Sequence, residues 1–336
     1  MKILITGASG FIGSFLVEKS LEQGFETYAG IRASSSKKYL ADERIKFIDI
    51  NYADKESLIS QLNEFKRQNG AWDYIIHNAG VTKCDRKSDF EKINFTFTKN
   101  FVEALCAAEM IPKIFVYMSS LSAWGAGNEK TLEPIKLSDA PNPNTAYGKS
   151  KINAENFIAN ISDFPYLFIR PTGVYGPREK DYLAFLKSVK KGIVPSIGLK
   201  PQYLTFVYVK DLAKAIFLLI EKQIARKSYF VSDGNVYTGK EYAQTVKTLL
   251  GKRFTVKICL PVFVLKIICF SLDTIYGWFG KSPVLNRDKY NILKARNWKC
   301  ETEALQNDAN FVADYNLMQG IKETIEIEFY KKKLFT

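Results

Sequence analysis

Tyr147 and Lys151 stand four residues apart in the segment NTAYGKSK. On a helix that spacing puts both side chains on one face. An ammonium beside a phenol stabilises the phenolate and lowers its pKa from the ordinary value of about 10. A phenol tuned this way can protonate a carbonyl oxygen as hydride arrives, or deprotonate an alcohol as hydride leaves. Ser120 follows the apolar run Lys113 to Met118 and could donate a hydrogen bond to the same oxygen. Ser119 and Ser122 compete for that role, with turn hydrogen bonding as their plainer use. Such a pair is common on helix surfaces, so its meaning depends on what surrounds it.

What surrounds it begins at residue 7. Gly7, Gly10 and Gly13 form GxxGxxG between an apolar run, Lys2 to Thr6, and a helical stretch, Phe11 to Gln23. Glycines there permit a tight turn, close approach of backbone to a pyrophosphate, and close helix–strand packing. The amides and dipole of the helix then face the anion. Dinucleotide binding, with a nicotinamide as hydride carrier, is the expectation, and an oxidised nicotinamide would lower the phenol further. An acidic residue about 20 positions beyond the glycines would select NAD. This chain has Arg32 there, then Ser34 to Ser36, Lys37 and Lys38. A guanidinium suits a 2′-phosphate, so NADP is favoured over NAD. Asp49 could accept from the adenine amino group or cap a turn. Asn78, Ala79 and Gly80 make a small-residue turn where a cofactor can pass, and Asn94, opening a long helix, could brace that strand.

The elements that must position these groups alternate. Strands are expected at Glu26 to Ile31, Arg44 to Ile50, Trp72 to His77, Lys113 to Met118 and Phe164 to Arg170. Helices are expected at Lys55 to Gln68, Phe90 to Ala108 and Asn144 to Ile161. Such alternation means an α/β fold, a Rossmann-type doubly wound parallel sheet covered on both faces. After Pro171 the pattern changes. Tyr203 to Val209 and Lys227 to Val231 still read as strands around a helix, Asp211 to Lys222, and the rest is mainly helical. The expected division is a dinucleotide-binding domain over 1–172, with a returning segment near 203–232, and a smaller substrate-binding part over 173–336.

Bulk properties narrow the classes. The 336 residues carry a formal charge of +13, which could attract nucleic acid, anionic lipid or phosphorylated small molecules. Neither an RNA-recognition motif nor zinc-finger spacing occurs, so nucleic acid is not expected. One histidine, His77, excludes a multi-histidine metal site, and no metal is expected. Five cysteines without a CxxC read as free thiols in a reducing compartment. The opening MKILITG reads as a strand and lacks a signal peptide's regions, which predicts a cytoplasmic protein. The apolar stretch Cys259 to Gly280 contains Lys266 and Asp273. It reads as a buried or interfacial helix, open to peripheral membrane contact, not as a span. The KKK at 331–333 reads as a solvated tail.

Ordered along the chain, GASGFIGS, HNAG (77–80), YMSSLSAWG (117–125), YGKSK (147–151), IRPTGVYGPRE (169–179) and FVYVKDLAKAI (206–216) resemble the extended short-chain dehydrogenase/reductases, the NAD-dependent epimerase/dehydratase family. The resemblance implies Tyr147 as acid/base, Lys151 as its modulator and a holder of the nicotinamide ribose, and Ser120, five residues before Gly125, on the substrate oxygen. It implies Ser9, Phe11, Ile12, Ile50, Pro171 and Gly173 as further cofactor contacts. It also implies a homodimer joined through the Phe90–Ala108 and Asn144–Ile161 helices. The ending GIRASSSKK is similar to NADPH-using dihydroflavonol-reductase-like members, and the C-terminal part to sterol-dehydrogenase-like ones. This chain departs from the family at His77–Gly80, where His-Leu-Ala-Ala is common, and at Trp124, where Tyr is usual.

The expected function is an oxidoreductase acting on a hydroxyl or ketone. The alternative is a sugar-nucleotide epimerase or dehydratase with tightly held NAD, for which Arg178 and Lys200 would meet a diphosphate. A non-catalytic scaffold is a third class, disfavoured by the intact Ser120, Tyr147 and Lys151. Substrate is expected between the sheet's carboxyl edge and the C-terminal helices, with Trp124, Tyr175 and Tyr203 as aromatic lining.

Overall fold

The computed structural model describes residues 1–279, 281, 283 and 285–330. The KKK at 331–333 lies outside them. The chain forms two compact units, one of Met1–Ala123, Ala146–Arg170 and Ala213–Tyr229, the other of Trp124–Thr145, Pro171–Leu212 and Phe230–Thr336. The first unit leaves off at Arg170 and returns over Ala213–Tyr229, against an expected boundary at 172 and a returning segment near 203–232. Residues 124–145 join the second unit, and the returning segment starts at Ala213.

The chain runs β1 (Lys2–Thr6), α1 (Phe11–Glu22), β2 (Glu26–Gly30), β3 (Lys46–Ile48), α2 (Lys55–Asn69), β4 (Tyr74–His77) and α3 (Lys87–Phe90). After a π-helical stretch, Glu91–Thr96, come α4 (Phe97–Ala107), β5 (Ile114–Met118), α5 (Ala146–Ala159) and β6 (Tyr166–Pro171). Then follow β7 (Gly173–Tyr175), α6 (Lys180–Lys190), β8 (Ile193–Ile197), β9 (Tyr203–Leu204), β10 (Phe206–Tyr208), α7 (Val209–Glu221) and β11 (Lys227–Val231). The remainder is β12 (Tyr237–Thr238), α8 (Gly239–Leu249), β13 (Val256–Leu260), α9 (Val262–Trp278), α10 (Arg287–Lys294), α11 (Glu303–Ala309) and α12 (Leu317–Ile325).

In the first unit a seven-stranded parallel sheet has the order β11-β6-β5-β4-β1-β2-β3. The order reverses at β1, between β4 and β2, which opens a crevice at the carboxyl ends of those strands. The central strands are buried on both faces, so they read as continuous apolar runs (ILIT, YIIH, IFVYM) and not as alternating ones. Leu4, Ile75 and Phe115 pack with Leu58, Leu62 and Phe101 from the covering helices. A buried ion pair ties α5 to β6. Arg170 donates from Nε to both Glu155 oxygens at 3.0 and 3.1 Å and from a terminal nitrogen at 2.6 Å.

The second unit is less uniformly helical than its sequence suggests. It holds the parallel pairs β7–β10 and β8–β13 and the antiparallel pair β9–β12. The run expected as one strand, Tyr203 to Val209, breaks at Thr205, whose hydroxyl donates to the Trp298 carbonyl at 2.7 Å. Its halves then pair with different partners. Tyr175, expected in a substrate pocket, is 2% exposed and packs with Phe206, Tyr208 and Leu317 in this unit's core. Trp124 and Tyr203 are half-buried.

The long helix expected over Phe90 to Ala108 is interrupted by the π-helical stretch Glu91–Thr96. A π turn carries an extra residue per turn and widens the helix locally. Asn94, expected to open the helix, sits inside this stretch with no exposed surface. Its Oδ1 accepts from the Val81 amide at 2.8 Å, and its Nδ2 donates to the Val81 carbonyl at 3.0 Å and to Ser150 Oγ at 3.1 Å. It therefore braces the chain leaving β4, not the strand itself.

Candidate active site

Three strand ends of the first unit build the site. At the end of β1, Gly7 takes φ +64°, where an L side chain is strained. A Cβ on Gly7 would also lie 2.9 Å from the Ala79 nitrogen, so the chain leaving β4 passes directly over it. Gly13 has an ordinary φ but no room: a Cβ would stand 2.1 Å from the Gly7 carbonyl oxygen. No described side chain caps the start of α1, and its first turn has no acidic residue. Ser9, Phe11 and Ile12 are partly exposed and Gly10 is exposed. An uncapped, accessible first turn beside a glycine bend suits an anion such as a dinucleotide pyrophosphate.

At the end of β4, Asn78 and Ala79 are half-buried and Gly80 is exposed. A Cβ on Gly80 would fall 2.9 Å from Asn94 Oδ1 and 3.3 Å from Lys151 Nζ. The glycine turn, the β4 exit and the lysine are thus neighbours. Beneath them Thr6 Oγ1 accepts from the Ala79 amide at 3.0 Å and meets His77 Nδ1 at 3.0 Å. His77 Nε2 meets Thr98 Oγ1 at 3.0 Å, and that hydroxyl donates to the Asn94 carbonyl. Because the Thr98 proton is spent on Asn94, the imidazole carries its hydrogen on Nε2 and accepts at Nδ1. His77 is a neutral structural strut, 2% exposed.

Burial, with Lys151 adding repulsion, lowers the His77 pKa from 6.5 to about 3. The unfolded chain takes up a proton on His77 below about 6.5, and the folded chain refuses it until about 3. This contribution to stability is complete above the unfolded pKa and is lost as pH falls between those values. The loss should reach about 2 kcal/mol at about pH 5, before carboxylates titrate. Urea unfolding of the wild type against His77→Asn over this range checks it. A wild-type curve no steeper than the variant's would mean that the imidazole protonates freely in the fold.

At the end of β5, Ser119 is buried with an unpartnered hydroxyl, whereas Ser120 is half-buried. The Ser120 oxygen accepts from the Ser122 amide at 3.1 Å, and its hydroxyl is close enough to the Tyr147 phenol to pull that phenol's pKa down. Of the three candidate serines, Ser120 is thus the one that acts on the tyrosine. Lys151 lies on the same side of α5, its Nζ 6.0 Å from the centre of the Tyr147 ring and 4.9 Å from that of Tyr117. The ammonium donates to the Met118 carbonyl at 2.8 Å.

One expectation is corrected here. The Tyr147 phenol is not acidified by Lys151; burial pushes it up to about 12, and only the Ser120 hydroxyl pulls the other way. Burial also lowers Lys151 to about 8, while the Glu155 carboxylate opposes that shift. The ammonium is spent on a backbone carbonyl and stands off the phenol, so desolvation wins in the free protein.

The remaining predicted residues are placed as follows. Arg32 is exposed just past β2, in a turn closed by a Ser35 amide bond to the Arg32 carbonyl at 2.8 Å. Asp49 accepts from the Ala33 amide at 3.1 Å, so the turn-capping role is realised. The Ile50 side chain is core, 4% exposed. Pro171 and Gly173 belong to the second unit. The Tyr182 hydroxyl fills the space beside Gly173, 2.4 Å from where a Cβ would be. Arg178 is also in that unit, its amide donating to Glu328 at 3.0 Å, and Lys200 is exposed. Sequence reasoning gives the lone His77, inside an apolar strand, a packing role, but it does not name Thr6 and Thr98 as the partners that make it a strut.

A crevice at the reversal point of a parallel sheet, a glycine bend at its first helix and a Ser–Tyr–Lys set define a nucleotide-binding α/β protein of the extended short-chain dehydrogenase/reductase type. The model of the NAD dependent epimerase/dehydratase family matches residues 3–231, and the chain belongs to that family. It is similar to a UDP-glucose 4-epimerase of Vibrio cholerae, 26% identical over 85% of this chain and 84% of the relative. It is similar also to a decarboxylating sterol-4-alpha-carboxylate 3-dehydrogenase of Dictyostelium discoideum, 24% identical over 96% and 99%. Among solved structures, UDP-glucuronic acid 4-epimerase from Bacillus cereus in complex with NAD superposes with a TM-score of 0.75, at 19% identity, over the whole of both chains (100% and 100%).

Proposed function

We propose that this protein transfers a hydride between a nicotinamide dinucleotide and a hydroxyl or ketone carbon, with Tyr147 as the acid/base. The observation that carries this reading is that Lys151 Nζ, 6.0 Å from the centre of the Tyr147 ring, is buried and neighbours Gly80 at the end of β4. Ser120 orients the substrate oxygen and Tyr147 gives or takes its proton. Lys151, buried beside the tyrosine, would hold ribose hydroxyls of the dinucleotide. The dinucleotide, when bound, supplies or accepts the hydride. Gly7, Ser9, Gly10, Phe11, Ile12 and Gly13 would hold its pyrophosphate, and Asp49 and Ile50 its adenine end. Asn78, Ala79 and Gly80 would flank it, with Asn94 fixing their path. The protein is read as a cytoplasmic homodimer, which sedimentation of the purified chain tests.

A nicotinamide dinucleotide is the cofactor, and NADP is the form we propose for it. Arg32 and the Lys37–Lys38 pair supply positive charge at the end of β2, where no carboxylate intervenes before Asp42. Arg32→Asp should shift the ratio of kcat/KM for NADP over NAD by more than about tenfold toward NAD, because a like-charge clash replaces an ion pair at the 2′-phosphate. An unchanged ratio would remove the case for NADP.

A second reading, a sugar-nucleotide epimerase or dehydratase that returns the hydride to the same ligand, is favoured by the V. cholerae and B. cereus relatives. Mass spectrometry of the copurifying nucleotide, native and denatured, separates the two. Retained NAD supports the epimerase and exchangeable NADPH the net oxidoreductase. A chain that binds neither would defeat both.

A further inference from the structure

The helix α9 is apolar around most of its circumference, yet only one stripe of it is covered. Leu265 and Cys269 are buried, and Phe270 meets the Tyr290 ring of α10 at 5.8 Å. The opposite side presents Phe263 at 67%, Ile267 at 61% and Trp278 at 80% exposure. A helix greasy on all sides ordinarily lies in a core or in lipid. Single exposed apolar residues mean little, but several large ones on one helix face, here with Ser271 and Thr274 between them, mark a docking surface. At the start of the helix Leu199 extends the patch at 95% exposure, held there because the Gly198 amide donates to the Leu260 carbonyl at 3.0 Å.

Charge says what covers it. Between residues 252 and 281 the chain has Lys252, Arg253, Lys257, Lys266 and Lys281 but one acidic residue, Asp273. That carboxylate is already bound by Arg287, 3.2 Å away. A second copy meeting this patch face to face would bring its Lys266 and Lys281 against the same pair, whereas anionic headgroups would be attracted. Among the described residues no helix is long and apolar enough to cross a membrane. A helix of 17 residues, about 25 Å long, with a lysine on its outer face, suits the plane of the interface instead. Lys266 can extend along the apolar surface and keep its ammonium among headgroups. Tyr276 and Trp278 at the C-terminal end are the ring types that settle at that depth.

We infer that the outer face of α9, framed by these basic residues, docks the protein peripherally on an anionic lipid bilayer. The inference is independent of the reading of the dinucleotide site. The test mixes the full chain with phosphatidylcholine vesicles, with or without about one-third phosphatidylglycerol, and measures flotation. Wild type should bind the anionic vesicles more than about tenfold better than neutral ones, with binding falling as salt rises. Phe263→Glu combined with Ile267→Glu should abolish flotation while the melting temperature holds. If that pair fails to fold, Lys266→Glu with Lys281→Glu, both exposed, should remove the preference for anionic vesicles. The Trp278 emission, taken as the difference from Trp278→Phe, should shift blue on binding. A wild type that stays unbound, or variants that float like it, overturns the inference. So does a dimer dissociated by the Phe263 and Ile267 substitutions that never binds vesicles, which would make this face a contact between copies.

Discussion

Tyr147→Phe should turn over at least about a hundredfold more slowly than wild type, with the dissociation constant for the dinucleotide changed less than about threefold. The phenylalanine ring can keep the edge contact with Phe90, whose centroid lies 6.0 Å from that of Tyr147. The loss is thus of one hydroxyl and its proton, at a point that also frees the Ser120 hydroxyl. The raised phenol, about 12 in the free protein, bears on the size of the effect. A group with that pKa is a poor base near neutrality and an adequate acid. A cation bound close to the phenol would bring its pKa down, and the pH profile of kcat would then break well below that of the free phenol. Activity and affinity measured side by side decide the matter. Equal turnover in the phenylalanine variant would take the acid/base role away from Tyr147.

Gly13→Ala should lose dinucleotide affinity by more than about tenfold and destabilise the fold by about 1–3 kcal/mol, the range for forcing a methyl group into a packed interior. The added carbon would collide with the Gly7 carbonyl oxygen at 2.1 Å and with Ala8 Cα at 2.8 Å. Both are backbone atoms, so α1 itself has to move off β1. The helix start that faces the proposed pyrophosphate moves with it. Calorimetric titration with the dinucleotide, paired with urea unfolding, reads both effects. A stable variant with intact affinity would show that α1 can slide without cost and that the first turn does not hold the anion. Gly24→Ala is a useful control, since nothing lies within 4 Å of the position a Cβ would take, though its φ of +75° carries its own strain.

The fold was legible because its signals are local. Continuous apolar runs such as ILIT and IFVYM, separated by helical stretches, require a sheet buried on both faces, and GASGFIG marks which strand comes first. Element bounds drifted where tertiary contacts set them. β3 shrinks to Lys46–Ile48 because pairing with β2 supports only those residues. The π-helical stretch around Asn94 left no trace in periodicity, since its cause is a side chain reaching the main chain at Val81. The acidity of Tyr147 was misjudged for a related reason. Spacing reveals that Lys151 shares its face, but not that the Met118 carbonyl claims the ammonium or how little water reaches the phenol.

Glu155 has two neighbours that matter to different properties of the protein. It clamps Arg170 of β6, and it also raises the proton affinity of Lys151, one helical turn earlier on α5. An engineer who swapped the clamp for an oily pair, a change that often strengthens a protein, would strip the lysine of its nearest counter-charge. Robustness and working pH are therefore yoked through a single carboxylate, and neither can be retuned there without moving the other.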